Sequence, residues 1–344
     1  MSFYPPLKQL NTDERLRTVN NLLKLRQQLD RDIPQKTATD TLLLATWNIR
    51  EFGDNRRKES LHYIAEIISR FDLVAVQEVS SNLTGLENLM KLLDLNWDYL
   101  VTDSTDGSAG GGERMAFLFD KSKVSFRKMA GEITLPLEKQ IGGTLQFART
   151  PYCIAFQAGW FKFVLTTVHI FYGTTASADL AKRKEETDTI ASILSKRAKK
   201  EDTSYMLLGD FNVSNVDETM KILANYGFTV PESIKEHPSD LGGTSHYDQI
   251  AFNLKLNDKM VVFSDKEQKA GAFNFAETIY TENDVDTYKE YFPDATKAKT
   301  EQEIKKYYLS SWRTFQISDH LPLWVEIKID FSDQYLKGLE TVDK

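Results

Sequence analysis

Short apolar runs that alternate with helical patterns, some adjacent with no helix between them, constrain this chain most. Strand-like runs fall at 42–48, 72–78, 98–102, 115–119, 153–158, 162–169, 204–209, 248–253 and 323–329, and helix-like ones at 57–70, 82–94, 178–199 and 216–226. Parallel neighbours need a crossover of a dozen or more residues, usually a helix. The runs 153–158 and 162–169 have no room for one, so a purely parallel doubly wound sheet is excluded. The pattern predicts mixed sheets packed together with helices outside, a layered α/β domain.

The 344 residues are 41% hydrophobic, enough for a sizeable core, which excludes disorder and coiled coil for most of the chain. Apolar runs such as 41–47 fall far short of the roughly 18 residues of a membrane span, so none is expected. The start, Met-Ser-Phe-Tyr-Pro-Pro, carries no basic stretch followed by an apolar run, and Cys153 is the lone cysteine. Both point to a reducing, cytoplasmic setting, and a monomer is expected. The net charge of −7, from 43 basic and 50 acidic side chains, argues against tight non-specific binding to long nucleic acid. Such binding replaces condensed counterions with Lys and Arg.

Residues 1–40 carry 7 Lys/Arg against 5 Asp/Glu and read as a helical appendage and linker. Asn11 or Thr12 caps a helix there, with Leu16, Val19, Leu22, Leu23 and Leu29 at helical spacing. Residues 103–112 read as a flexible Gly-rich loop, and the acidic, Tyr-rich stretch 264–311 as an insertion or lid. The segment 330–344 is a C-terminal tail, which leaves 41–329 as one domain.

Polar residues that end apolar strands are delivered rigidly to a common edge. Here those ends are Asn48 and Arg50, Glu78 after Gln77, His169, Asp210 with Asn212, and Asp319-His320 before the last strand. Singly, each has a plain structural reading: turn former, helix cap, core histidine, or solvated charge for Arg50. Jointly they supply what phosphate-ester hydrolysis requires. Carboxylates hold a hard divalent cation, amides and imidazole donate to non-bridging oxygens, and a His–carboxylate unit moves protons. No zinc spacing, Walker loop, dinucleotide fingerprint or Gly-x-Ser-x-Gly elbow competes.

The motifs Trp-Asn-Ile-Arg (47–50), Gln-Glu-Val (77–79), Glu-Arg-Met-Ala-Phe-Leu-Phe (113–119), Phe-Ala-Arg-Thr-Pro (147–151), Gly-Asp-Phe-Asn (209–212), Tyr-Asp-Gln-Ile (247–250) and Ser-Asp-His-Leu-Pro (318–322) occur in this order. As a set they resemble the endonuclease/exonuclease/phosphatase superfamily, most closely its deoxyribonuclease I group. The resemblance implies a four-layer α/β sandwich of two packed mixed β-sheets flanked by helices. It implies a Mg²⁺-dependent phosphodiesterase (Mn²⁺ or Ca²⁺ as alternatives), with Glu78 as main metal ligand and Asn48 and Asp319 around the metal. Asp210 and Asn212 would flank the scissile phosphate, and His169 and His320 would form the proton-transfer pair. Glu113 and Asp248 would orient those histidines, and Arg149, with Arg50 as a second candidate, would contact phosphate; Asn48 would share in substrate binding.

Two departures matter. An arginine and a tyrosine that read the DNA minor groove in that group are replaced by Ser80 and Gly111. The expected substrate is DNA or other nucleic acid. The charge and the missing groove readers favour the alternative, a small or lipid-borne phosphoester of the inositol phosphate or sphingomyelin class. A non-catalytic binding module of the same fold ranks third, because the carboxylate–His set is intact. For a nuclease, Arg50, Arg149 and the lysines of 196–200 would need to form a basic strip beside the metal.

Overall fold

The structure, a computed structural model of the chain, describes residues 2–105, 111–143, 145–213, 216–262 and 269–342. One sheet contains β1 (Thr41–Phe52), β2 (Leu73–Val79), β3 (Trp97–Val101), β4 (Arg114–Asp120), β10 (Ala270–Ala272) and β11 (Leu323–Lys328), in the order β10-β11-β1-β2-β4-β3. The other contains β5 (Val124–Glu132), β6 (Tyr152–Ala158), β7 (Phe161–His169), β8 (Ser204–Asp210) and β9 (Asp248–Asn253), in chain order. The pairs β1–β2 and β7–β8 are parallel, and the others are antiparallel. This is the mixed two-sheet sandwich expected.

Strand periodicity divides the core. Leu42 and Leu44 of β1 pack with Phe117, Phe156 and Phe163 between the sheets, whereas Leu43, Ala45 and Trp47 join a second cluster beneath the outer helices. Those helices are α1 (Thr12–Asp32), α2 (Lys58–Ser69) and α3 (Thr84–Met90). On the far sheet α4 (Ser177–Glu201) and α5 (Val216–Asn225) complete the layers. Gln77 crosses the sandwich: its Nε2 donates to Thr46 Oγ1 at 3.1 Å and to Thr167 Oγ1 of the opposite sheet at 2.8 Å.

Asn11 caps α1 by accepting from Glu14 N at 2.9 Å. Its buried stripe is Thr18, Leu22, Leu25 and Leu29. Leu16 and Leu23, expected on that stripe, are exposed, because the helix turns on the 18-22-25-29 spacing and they face away. Arg17 of α1 grips the fully buried Glu59 of α2 with two hydrogen bonds, at 3.0 and 3.1 Å, and Arg57 adds a third at 2.6 Å.

The described part of 264–311 forms β10 and short helical turns. Tyr280, Tyr288, Tyr308 and Trp312 stack on one another there and belong to the same core cluster as α1 and α2. Residues 264–268, and 106–110 of the Gly-rich loop, lie outside the described residues. β5 escaped the sequence reading because, after Val124, it is exposed throughout and shows no buried alternation.

Candidate active site

The parallel pairs set the site. Because β1 runs with β2 and β7 with β8, the C-terminal ends of all four gather polar residues at one rim: Asn48, Glu78, His169 and Asp210. The antiparallel strands β4, β9 and β11 start at that rim, and so bring Glu113, Asp248 and Asp319-His320 to it. Gly209 is required by this closeness: a Cβ there would lie 2.1 Å from Val168 O. Glu51, Glu78 and Asn212 adopt left-handed φ values of 43°, 59° and 49°, costly for non-glycine residues and typical of side chains aimed for function.

Asp210 is the hub. Its Oδ2 accepts from Asn48 Nδ2 at 3.0 Å, and lies 3.6 Å from His169 Nε2 and 3.8 Å from His320 Nε2. Its Oδ1 accepts from Asn212 N at 2.8 Å. Asn212 Nδ2 donates to Ile170 O at 2.7 Å, so its amide is tied to the loop after β7. The Nδ1 atoms of the histidines face other carboxylates. His320 Nδ1 is hydrogen-bonded to Asp248 Oδ2 at 2.8 Å, and His169 Nδ1 lies 3.0 Å from Glu113 Oε2 without hydrogen-bond angles.

Electrostatics distinguish the two. Burial disfavours the His320 imidazolium, but the charges of Asp248 and Asp210 outweigh it and raise its pKa to about 10. Burial would raise Glu113, yet His169 and Arg149 hold it down at about 2. Arg149 binds Glu113 through Nε at 2.8 Å and Nη2 at 3.1 Å. Arg50 donates to Thr314 Oγ1 at 2.8 Å, lies 3.4 Å from Asp319 and stacks on Phe315, whose ring centroid is 4.1 Å away. Phe315 is 37% exposed beneath that guanidinium.

Among the described residues, Glu78, Glu113 and His169 form one group whose ligand atoms lie within 4.8 Å of one another, a group able to hold a metal ion. Asn48 adds an oxygen: its Nδ2 donates to Glu78 Oε1 at 2.9 Å, and its buried Oδ1 has no hydrogen-bond partner. An orphaned buried oxygen beside two carboxylates suits a hard cation. Asp319 stands outside that group, facing Arg50.

Sequence reasoning missed the groups behind this array. Ser318 Oγ donates to Asn48 O at 2.7 Å and accepts from Arg50 N at 3.2 Å and His320 N at 3.0 Å, stapling two rim segments together. The buried Arg56 donates to Glu51 O at 2.9 Å, Ile317 O at 3.4 Å and Arg50 O, and burial lowers its pKa to about 10. On α4, Arg183 donates to Asn212 O at 2.9 Å and Phe171 O at 3.2 Å, while Glu186 accepts from Ala148 N and Phe171 N, both at 2.9 Å. Their partners are backbone groups of distant loops, which no local pattern encodes.

The sequence profile of the Endonuclease/Exonuclease/phosphatase family matches residues 45–249. Deoxyribonuclease-1 of Canis lupus familiaris is 37% identical over 90 residues, 24% of this chain and 32% of that protein. The Equus caballus enzyme is 27% identical over 179 residues, 50% of this chain and 61% of that protein. The matches thus span less than two thirds of these curated relatives. Among solved structures, a mannosyl-6-phosphatase of Bacteroides thetaiotaomicron aligns with a TM-score of 0.52 and 16% identity, covering 83% of this chain and 99% of that one. The human Nocturnin catalytic domain, solved with bound sulfate, aligns at 0.53 and 13%, covering 83% and 94%. At such identities the likeness is one of fold. No helix among the described residues is long and apolar enough to cross a membrane. With the profile matched over more than half its length, the chain belongs to the endonuclease/exonuclease/phosphatase family, whose members hydrolyse phosphoester bonds.

Proposed function

We propose that the protein is a divalent-cation-dependent phosphodiesterase that cleaves nucleic acid, DNA in the first instance, by in-line attack of water. The observation that carries this reading is the convergence of two imidazoles on Asp210 Oδ2, at 3.6 and 3.8 Å, each with a second carboxylate at its other nitrogen. Glu78 and Asn48 would hold Mg²⁺ (Mn²⁺ or Ca²⁺ as substitutes), with Asp319 standing off toward Arg50, and a bound cation of this kind withdraws charge from the phosphate's non-bridging oxygens. His320, held as imidazolium by Asp248 and Asp210, donates the proton to the leaving oxygen. His169, beside Glu113, accepts the proton of the attacking water. Arg149 and Arg50 are the phosphate-facing cations, and Asn48 and Asn212 position the ester.

The small-phosphoester reading keeps one specific support, the Ser80 and Gly111 substitutions among the expected groove readers. One panel separates the readings: Mg²⁺, Mn²⁺, Ca²⁺ or EDTA with supercoiled plasmid, single-stranded DNA, RNA, bis-p-nitrophenyl phosphate and inositol phosphates. Cleavage of plasmid that EDTA abolishes and Mg²⁺ restores is expected. Plasmid left intact while an inositol phosphate is hydrolysed would overturn the nuclease assignment. Silence with every substrate and metal would favour a binding module.

A further inference from the structure

Beside His320 lies a cavity of about 380 Å³ that the proposed reaction leaves unused. Its volume falls in the roughly 300–1,000 Å³ range of small-ligand sites. One wall is the segment before β9, with Asp240, Leu241 and Tyr247; the other carries Leu309 and Arg313. Both walls are built into the rim. Leu241 N donates to Asp319 O at 2.8 Å, and Leu321 N to Ser239 O at 2.6 Å. The opposite wall contains a π-helical turn, Tyr308–Trp312, anchored by Tyr308 Oη on Thr281 O at 3.0 Å. Such turns are rare and frequently mark functional sites.

We propose that this cavity binds the base of a single nucleoside unit whose phosphate lies at His320, an assignment that rests on the phosphodiesterase reading above. Leu241 and Leu309 offer apolar surface, and the Tyr247 ring lies 5.4 Å from the His320 ring at 33°, a platform continuous with the reacting end. Arg313 donates to Leu309 O at 3.2 Å and to Tyr280 O at 3.4 Å; Glu282 acts on it only at a distance, with no ion pair within 4.0 Å among the described residues. A guanidinium fork beside apolar and aromatic surface recognises the face and edge of an unpaired base. A sugar alone fits less well. The acceptor in the wall, Asp240, already receives the backbone N–H groups of Gly242 at 3.2 Å, Thr244 at 2.7 Å and Ser245 at 2.5 Å.

The test compares binding of inorganic phosphate, ribose 5-phosphate and thymidine 5′-monophosphate, in Mg²⁺, to the wild type and to the Leu309→Trp and Ser310→Trp variants. Ser310 also lines the cavity and is exposed, so its variant folds even where the more enclosed Leu309 tolerates no indole. The nucleotide is expected to bind the wild type about tenfold or more tightly than either other ligand. The tryptophans should erase that advantage and leave phosphate affinity within about twofold. Equal affinity for nucleotide and ribose 5-phosphate, or an advantage that survives both variants, overturns the base pocket. Hydrolysis of bis-p-nitrophenyl phosphate, assayed in parallel, keeps the two readings apart: its absence with every metal defeats the phosphodiesterase reading, and the pocket assignment with it.

Discussion

Asp210 Oδ2 lies within 4 Å of two imidazoles whose surroundings differ, and that difference makes the proton roles testable. An acid matters most when the leaving group is poor. His320→Ala should therefore lower kcat by several orders of magnitude on DNA and by much less on bis-p-nitrophenyl phosphate, whereas His169→Ala should impair both alike. Equal losses on the two substrates for His320→Ala would reverse the assignment. Away from the rim, burial lowers His62 from 6.5 to about 4. Its neutral form is favoured in the folded state, so its contribution to stability is full above pH 6.5 and is lost as pH falls towards 4. The loss amounts to about 3 kcal/mol. Urea unfolding between pH 7 and 4 should show this slope, and His62→Gln should flatten it. Arg56 is a positioning residue: Arg56→Met leaves its carbonyls unpaired, at about 1–3 kcal/mol of stability. It should also weaken Mg²⁺ binding, measured by calorimetry, with partial rescue by Arg56→Lys.

At the scale of elements, α1 is locked to α2 through one buried carboxylate. Glu59→Ala would leave Arg17 and Arg57 facing each other without it, and should cost about 3–5 kcal/mol in a denaturant titration. A change under 1 kcal/mol would mean that stacking of these arginines on Tyr288 and Tyr291 holds the helix instead. The elements were legible in the sequence wherever burial imposes a period. Thr41–Phe52 and Phe161–His169 announce themselves by apolar runs that end in chemistry. β5 and the three-residue β10 carry no such signal, and α1's contact stripe was misplaced because Leu16 and Leu23 satisfy helical spacing without facing the core. Asn48, Glu78, His169, Asp210 and His320 were legible because they end or precede apolar strands, whereas Glu113, Asp248 and Arg149 were named only through the family motifs. Their supports Ser318, Arg183 and Glu186 answer to backbone carbonyls and amides that folding brings from elsewhere, and Arg56 joins the nearby Glu51 carbonyl to the distant Ile317 carbonyl.

Across the whole molecule, the charge of −7 conceals an uneven layout. The lysines of 196–200, the other candidates for a basic strip, occupy the C-terminal end of α4, which leads into the start of β8 and so lies at the edge opposite Asp210. At about 1.5 Å rise per residue, α4 places them about 30 Å from the helix's rim end. Of the candidate strip, Arg50 and Arg149 remain at the rim, each beside a carboxylate. Two phosphate contacts release few counterions, so DNA affinity should fall only about tenfold between 50 and 200 mM salt. Anisotropy titrations that give a fall of a thousandfold would reveal a basic surface elsewhere.

The staple at Ser318 has a consequence for how the protein comes into being. Asn48 and Glu78 leave the ribosome early, but β1 gains its β11 partner, and Asn48 its link to His320, only after residues 318–328 have been synthesised. At about 5–20 residues per second, the intervening stretch takes many seconds to appear. Until then the nascent chain carries a half-assembled rim.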